Sequence, residues 1–177
     1  TIVIVLADHG DGMGSHRMVT KQVSFYEEMT NVPFIIAGPG IHPRQKPVED
    51  LLTQPTIDLL PTLCELAGIP VPSSKPGISL APFLKGEKQK RQHPYAASEW
   101  HSEYEVTVSP GRMIRSPRYK YTHYLEGNGE ELYDMLKDKG ERRNLAHDPK
   151  YSKILAEHRA LLDDYIRRTQ DDYRSLK

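Results

Sequence analysis

The run Thr1-Ile2-Val3-Ile4-Val5-Leu6-Ala7, ending in Asp8-His9-Gly10, decides how the chain is read. A near-continuous β-branched stretch of this length is too short to cross a bilayer and reads as a strand buried on both faces of a parallel sheet. Such a strand needs neighbours, so Thr1 is read as an interior point of a larger protein. Gly10 to Gly14 then turns the chain out of the strand. In open α/β sheets ligands bind beyond the carboxyl ends of strands, which makes Asp8 and His9 the first place to look for chemistry.

Outward from that strand, the signals alternate as in an α/β layer. Residues 21–29 read as a short helix, 32–37 as a second strand, and Gly38-Pro39-Gly40 as its stop. In 56–68, Ile57, Leu60, Leu63, Cys64 and Ala67 recur at helical spacing. Pro55 suits the start of that helix, Gly68 suits C′, and Pro61 is expected in the first turn, where its missing donor is harmless. From Pro70 to Lys90 the composition shifts to Pro, Gly, Ser and Lys, a surface connection. The division is placed at 75/76, giving 1–75 and 76–177. Beyond it, 95–100, 112–115, 119–124 and 131–134 are short strands, separated by Pro110-Gly111, Ser116-Pro117 and Gly127-Asn128-Gly129, and predict an antiparallel meander. A closing helix from about Pro149 carries Tyr151, Ile154, Leu155, His158, Leu161, Leu162, Tyr165 and Ile166 as its apolar stripe. The fold expectation is therefore α/β: part of a doubly wound sheet, then a small antiparallel sheet with a C-terminal helix.

The 177 residues are enough for one core. Twenty-four basic and 24 acidic residues cancel, which removes the electrostatic footprint of a general nucleic-acid binder. One cysteine excludes an internal disulfide or a cysteine-built zinc site, and no stretch is apolar enough for a membrane span.

Asp8 and His9 can offer one oxygen and one nitrogen to a divalent cation, with Gly10 allowing close approach. Two ligands do not complete a site, and Asp8 can equally cap the turn while His9 bonds to the backbone. Gly14-Ser15-His16 brings a second histidine to the same loop, and Lys21 follows. His16 can give a proton to a leaving oxygen, and Lys21 can place a point charge on an oxyanion. Packing on the turn and solvation are their plain alternatives. Glu99, Trp100 and His101 close a strand as either sugar-ring walls or packing residues.

These residues resemble a known family. Residues 4–16 with Lys21, Phe25-Tyr26-Glu27-Glu28, Val32-Pro33-Phe34-Ile35-Ile36-Ala37-Gly38-Pro39-Gly40-Ile41, Thr56-Ile57-Asp58-Leu59-Leu60-Pro61-Thr62-Leu63, Arg118-Tyr119-Lys120-Tyr121, Glu131-Leu132-Tyr133-Asp134 and Glu141-Arg142-Arg143-Asn144-Leu145-Ala146 look, in that order, like the second half of a type I sulfatase of the alkaline phosphatase superfamily. The resemblance implies a hydrolase of sulfate esters or sulfamates on a sulfated carbohydrate, such as a glucosamine N-sulfate or 6-sulfate, in the periplasm, outside the cell or in the lysosome. It implies one Ca2+, or alternatively Mg2+, with Asp8 and His9 as its second ligand pair. Lys21 would contact the sulfate and His16 would line the same pocket. Lys21 stands six residues before Glu27, whereas Gln22 holds the position five before it, where relatives carry the lysine. The family nucleophile is a formylglycine made within Cys/Ser-x-Pro/Ala-x-Arg, a motif this chain lacks; Cys64, followed by Glu65-Leu66-Ala67, reads as a core residue. The nucleophile and first metal-ligand pair would belong to an amino-terminal part of the same protein, and the present piece would be inactive alone. A phosphomonoesterase, phosphodiesterase or phosphonate hydrolase of the superfamily, or a non-catalytic accessory module, is the alternative.

Overall fold

A computed structural model describes residues 1–19, 23–48, 51–73, 76–87, 93–101, 109–126 and 129–175. In chain order its elements are β1 (Val3–Leu6), α1 (Glu27–Thr30), β2 (Phe34–Ala37), α2 (Pro55–Ala67), α3 (Ala81–Leu84), β3 (Ala96–Trp100), β4 (Gly111–Arg115), β5 (Tyr119–Tyr124), β6 (Glu130–Asp134) and α4 (Ser152–Thr169). They fall into two compact units, Thr1–Asp8 with Val32–Ala96, and His9–Asn31 with Ala97–Lys177.

In the first unit β1 pairs with β2 in antiparallel register, Val3 opposite Ala37 and Leu6 opposite Phe34. This differs from the parallel, doubly covered strand read from the sequence. Val3, Val5 and Ile35 are each more than half exposed, and no doubly wound sheet forms among the described residues. A continuous apolar run has no internal alternation to specify direction, so both pairings satisfy it equally.

α2 starts at Pro55 and ends as expected. Gly68 takes φ +70°, its N–H donates to Glu65 O at 3.2 Å, and the Ile69 N–H donates to Cys64 O at 2.9 Å. That pair of bonds satisfies carbonyls the helix leaves open. Pro61, however, lies in the second turn, so Ile57 O receives no helical N–H from it. Gly77, at φ +105°, runs so close that a Cβ there would sit 2.0 Å from Ile57 O. The buried side of α2 also differs from the apolar stripe: Leu60 and Leu63 are exposed, whereas Asp58 and Thr62 are fully enclosed. Asp58 accepts from the N–H groups of Gln54 (2.8 Å) and Ile78 (2.9 Å) and pairs with His93 Nε2 at 2.8 Å. Thr62 donates to Asp58 O and accepts the Leu80 N–H. A polar side that satisfies its neighbours' backbone is worth more inside than a leucine that would leave them unpaired. The 70–90 connection carries α3 in its described part, while 74–75 and 88–90 lie outside the described residues.

The second unit holds the predicted meander, in order β3-β4-β5-β6. β4 runs antiparallel to β5, Gly111 opposite Tyr124, and β5 to β6, Tyr119 opposite Asp134. Gly127 and Asn128 of the last turn lie outside the described residues. α4 packs over β4 and β5. It is entered through a 3-10 turn, Pro149–Tyr151, with the Asp148 carboxylate accepting the Lys150 N–H at 3.0 Å. Ile114, Tyr121, Leu132 and Leu162 make the centre of the core. His158, from the predicted stripe, is buried with them; its Nδ1–H donates to Ile154 O and its Nε2 accepts from Ser116 Oγ, both at 2.8 Å. After α4 the chain is latched back. Arg112 forks onto Asp171 (2.6 and 2.8 Å), its guanidinium lies 4.5 Å over the Tyr173 ring, and the enclosed Tyr173 hydroxyl donates to His123 O at 2.8 Å.

Candidate functional site

Asp8 stands two residues after the end of β1, and the chain passes from one unit to the other between Asp8 and His9. Both side chains are exposed. His9 Nδ1 lies 2.8 Å from Gly10 O. Donation from Nδ1–H fixes the tautomer whose acceptor lone pair is on Nε2, the arrangement found for metal-bound imidazoles and also for a plain turn histidine. Gly10 is required where it stands: its N–H donates to Met29 O at 2.9 Å, and a Cβ would lie 1.7 Å from Glu28 O.

The loop from Gly10 to Met18 is tightly folded. Asp11 Oδ1 accepts the Met13 N–H, Gly14 N–H donates to Met18 O, and Met18 N–H donates to Ser15 O. Met13, His16 and Arg17 all take positive φ, an uncommon backbone for residues with side chains. Strain of this kind concentrates at functional loops. His16 stacks face to face on Tyr26, with ring centroids 3.6 Å apart and planes within 1°, and its Nε2 is 3.9 Å from Glu28 Oε2. Burial pushes the Glu28 carboxyl up. Its own backbone N–H, the Ser15 hydroxyl and the charges of His16 and Lys120 outweigh that and hold it below the usual range.

Beneath this loop lies a polar cluster that the sequence reading missed. Lys120, 1% exposed, reaches Glu27 Oε1 at 2.7 Å, Glu141 Oε1 at 2.9 Å and Phe25 O at 2.8 Å. Glu141 Oε2 accepts the Glu27 N–H at 2.6 Å. These bonds explain why residues 23–26, within the helix expected over 21–29, stay outside α1: the Phe25 carbonyl and the Glu27 N–H are taken by residues far along the chain, while 21 and 22 lie outside the described residues. Burial raises the Glu141 carboxyl against the pull of Lys120, and raises Glu131 together with the Glu141 charge. The signal in the sequence was only a lysine between two tyrosines on a strand, with nothing to mark it as buried.

Among the described residues no group of three His, Cys, Asp or Glu is arranged to hold a metal ion. Lys21 and Gln22 lie outside the described residues. Cys64 is buried, as expected of a core residue. Glu99 accepts the Tyr165 hydroxyl at 2.5 Å, Trp100 gives its carbonyl to Arg112 at 2.8 Å, and His101 is exposed.

Residues 14–168 match the family model described as N-sulphoglucosamine sulphohydrolase, C-terminal. The delta 4,5-hexuronate-2-O-sulfatase of Bacteroides thetaiotaomicron is 78% identical over 177 residues, 100% of this chain and 37% of that protein. The solved structure of a 2-O GAG sulfatase matches with TM-score 0.95 and 78% identity, over 100% of this chain and 38% of that one. The phosphonate monoester hydrolase of Silicibacter pomeroyi matches with TM-score 0.82 and 27% identity, over 99% and 36%. The chain thus spans a little over a third of the length of each.

Proposed function

Because this chain belongs to the N-sulphoglucosamine sulphohydrolase C-terminal family of sulfatases, we propose that it is the carboxyl-terminal part of a sulfatase removing 2-O-sulfate from hexuronate residues of a glycosaminoglycan. The observation that carries this reading is the 78% identity, along the whole chain, to a hexuronate-2-O-sulfatase. It replaces the glucosamine sulfate expected from the sequence.

The donor set at the end of β1 suits a hard cation in part: one carboxylate, and one imidazole whose Nδ1 is engaged with a carbonyl. Asp8 and His9 would hold Ca2+, or Mg2+ in its place, together with ligands from outside this chain, and the ion would supply polarisation of a sulfate oxygen. The nucleophile, a formylglycine, would likewise come from the amino-terminal part. His16, with its ring plane set by Tyr26, is suited to hold the proton passed to the leaving sugar oxygen. Lys21 would neutralise charge on the sulfuryl oxygens. β1 and β2 would join a doubly wound sheet completed by the amino-terminal part, which the exposed Val3, Val5 and Ile35 support. In this reading residues 1–75 belong to the catalytic domain and 76–177 form its carboxyl-terminal subdomain.

The test uses the full-length protein made in a host that generates formylglycine. Asp8→Ala should lower calcium content and sulfate release from an unsaturated 2-O-sulfated disaccharide together, by more than the roughly 10–100-fold that loss of an outer-sphere partner costs. Unchanged turnover would remove Asp8 from the site. Hydrolysis of phosphonate monoesters in preference to the sulfated disaccharide would favour the phosphonate hydrolase reading, which the likeness to that enzyme supports.

A further inference from the structure

His42, Arg44 and Lys46 alternate in the segment 41–48, the last two between Pro43 and Pro47. The prolines fix φ at two points and remove two donors, which limits the shapes the segment can take. Its start is anchored: the His42 N–H donates to Leu84 O at 2.7 Å, and a Cβ on Gly86 would lie 3.2 Å from the imidazole Cγ. The Arg44 guanidinium lies 4.2 Å over the Phe83 ring. Such a stack holds the planar cation by its face and leaves its N–H edge available to acceptors. Residues 42–48 line an open concavity of about 570 Å³, and no carboxylate of the described residues is in its lining. Arg112, Arg118 and Arg159 are each paired with an acid, whereas neither Arg44 nor Lys46 meets a carboxylate at ion-pair distance among the described residues.

From the stacked guanidinium, the two further basic side chains and the cavity they line, we infer that segment 42–48 is a binding site for a sulfate group of a polyanionic glycan. Arg44 forks onto two sulfate oxygens in the way guanidinium matches planar oxyanion pairs, and Lys46 adds an ammonium at the rim. Gln45 supplies a neutral amide for sugar hydroxyls. The inference rests on the sulfated-glycan reading above, but its own readout is binding, not turnover.

The experiment compares full-length wild type, Arg44→Ala/Lys46→Ala and Phe83→Ala on immobilised heparin, on desulfated heparin and on hyaluronan, which carries carboxylates only. Each variant is first checked for an unchanged melting temperature. The double variant should bind heparin about tenfold or more weaker, with the log-affinity against log-salt slope shallower by roughly one to two, as expected when two cations no longer displace counterions. Phe83→Ala, which keeps every charge, should lose several-fold. Wild type should prefer heparin to both other glycans, and kcat/KM on a sulfated disaccharide should be unchanged in all three proteins. Equal heparin affinity in wild type and double variant would overturn the inference, as would equal binding of the three glycans. Loss of heparin binding in an enzyme that hydrolyses no sulfate would sink the proposed function and leave this site standing.

Discussion

At the residue scale, the site candidates and the supporting cluster differ in how far a sequence can show them. Asp8, His9 and His16 stand within one short stretch and are marked by glycines, so local reasoning reaches them. Lys120 cannot be found that way, because the Phe25 carbonyl it holds is 95 residues distant. Breaking this cluster should be costly: Lys120→Met takes the cation from the buried Glu141 and leaves Glu27 only Arg115 Nε, 3.8 Å away, for about 3–5 kcal/mol in urea unfolding. Gln22 and Lys21 are separable by kinetics. Lys21→Ala in the full-length enzyme should lower kcat/KM by about a hundredfold, the scale of one lost transition-state donor, while Gln22→Ala changes it little; the reverse result would place the sulfate contact at 22. His158 offers a pH test. Burial lowers its pKa below the ordinary 6.5, so the unfolded chain takes up a proton before the folded one does. Its contribution to stability is therefore complete above that ordinary value and is lost as pH falls through it toward the folded-state value. Between pH ~7.5 and ~5.5 wild type should lose more unfolding free energy than His158→Gln; parallel losses would exclude this origin.

At the element scale, the meander and α4 were legible because strong punctuation separated short strands and because the closing stripe kept helical period over many residues. β3 to β6 match the predicted runs to within a residue or two. The direction of β1 was not legible, since an all-aliphatic strand carries no register signal. α2 was legible in extent and misleading in facing, since Asp58 and Thr62 entered the interior with their hydrogen bonds satisfied. Thr62→Val should therefore destabilise despite being more apolar, by about 1–3 kcal/mol, because the buried Leu80 N–H loses its acceptor. Gly68→Ala should cost about 1–2 kcal/mol through its left-handed backbone alone. Thermal unfolding of the two variants measures both.

At the scale of the whole molecule, β1 and β2 expose Val3, Val5 and Ile35, and register puts Val5 opposite Ile35. A contiguous apolar face on a two-stranded ribbon is an association hazard. The 177-residue chain made by itself should release no sulfate and should self-associate in sedimentation velocity. Val3→Thr/Val5→Thr/Ile35→Thr should shift it toward monomer, and an unchanged distribution would place the contact elsewhere. The latch behind α4 has a practical corollary. Tyr173 is wholly enclosed and tied to the opposite strand through its hydroxyl, so a carboxypeptidase trimming inward should stall before this tyrosine until the sheet opens, and the time course of digestion would serve as a clock for that opening.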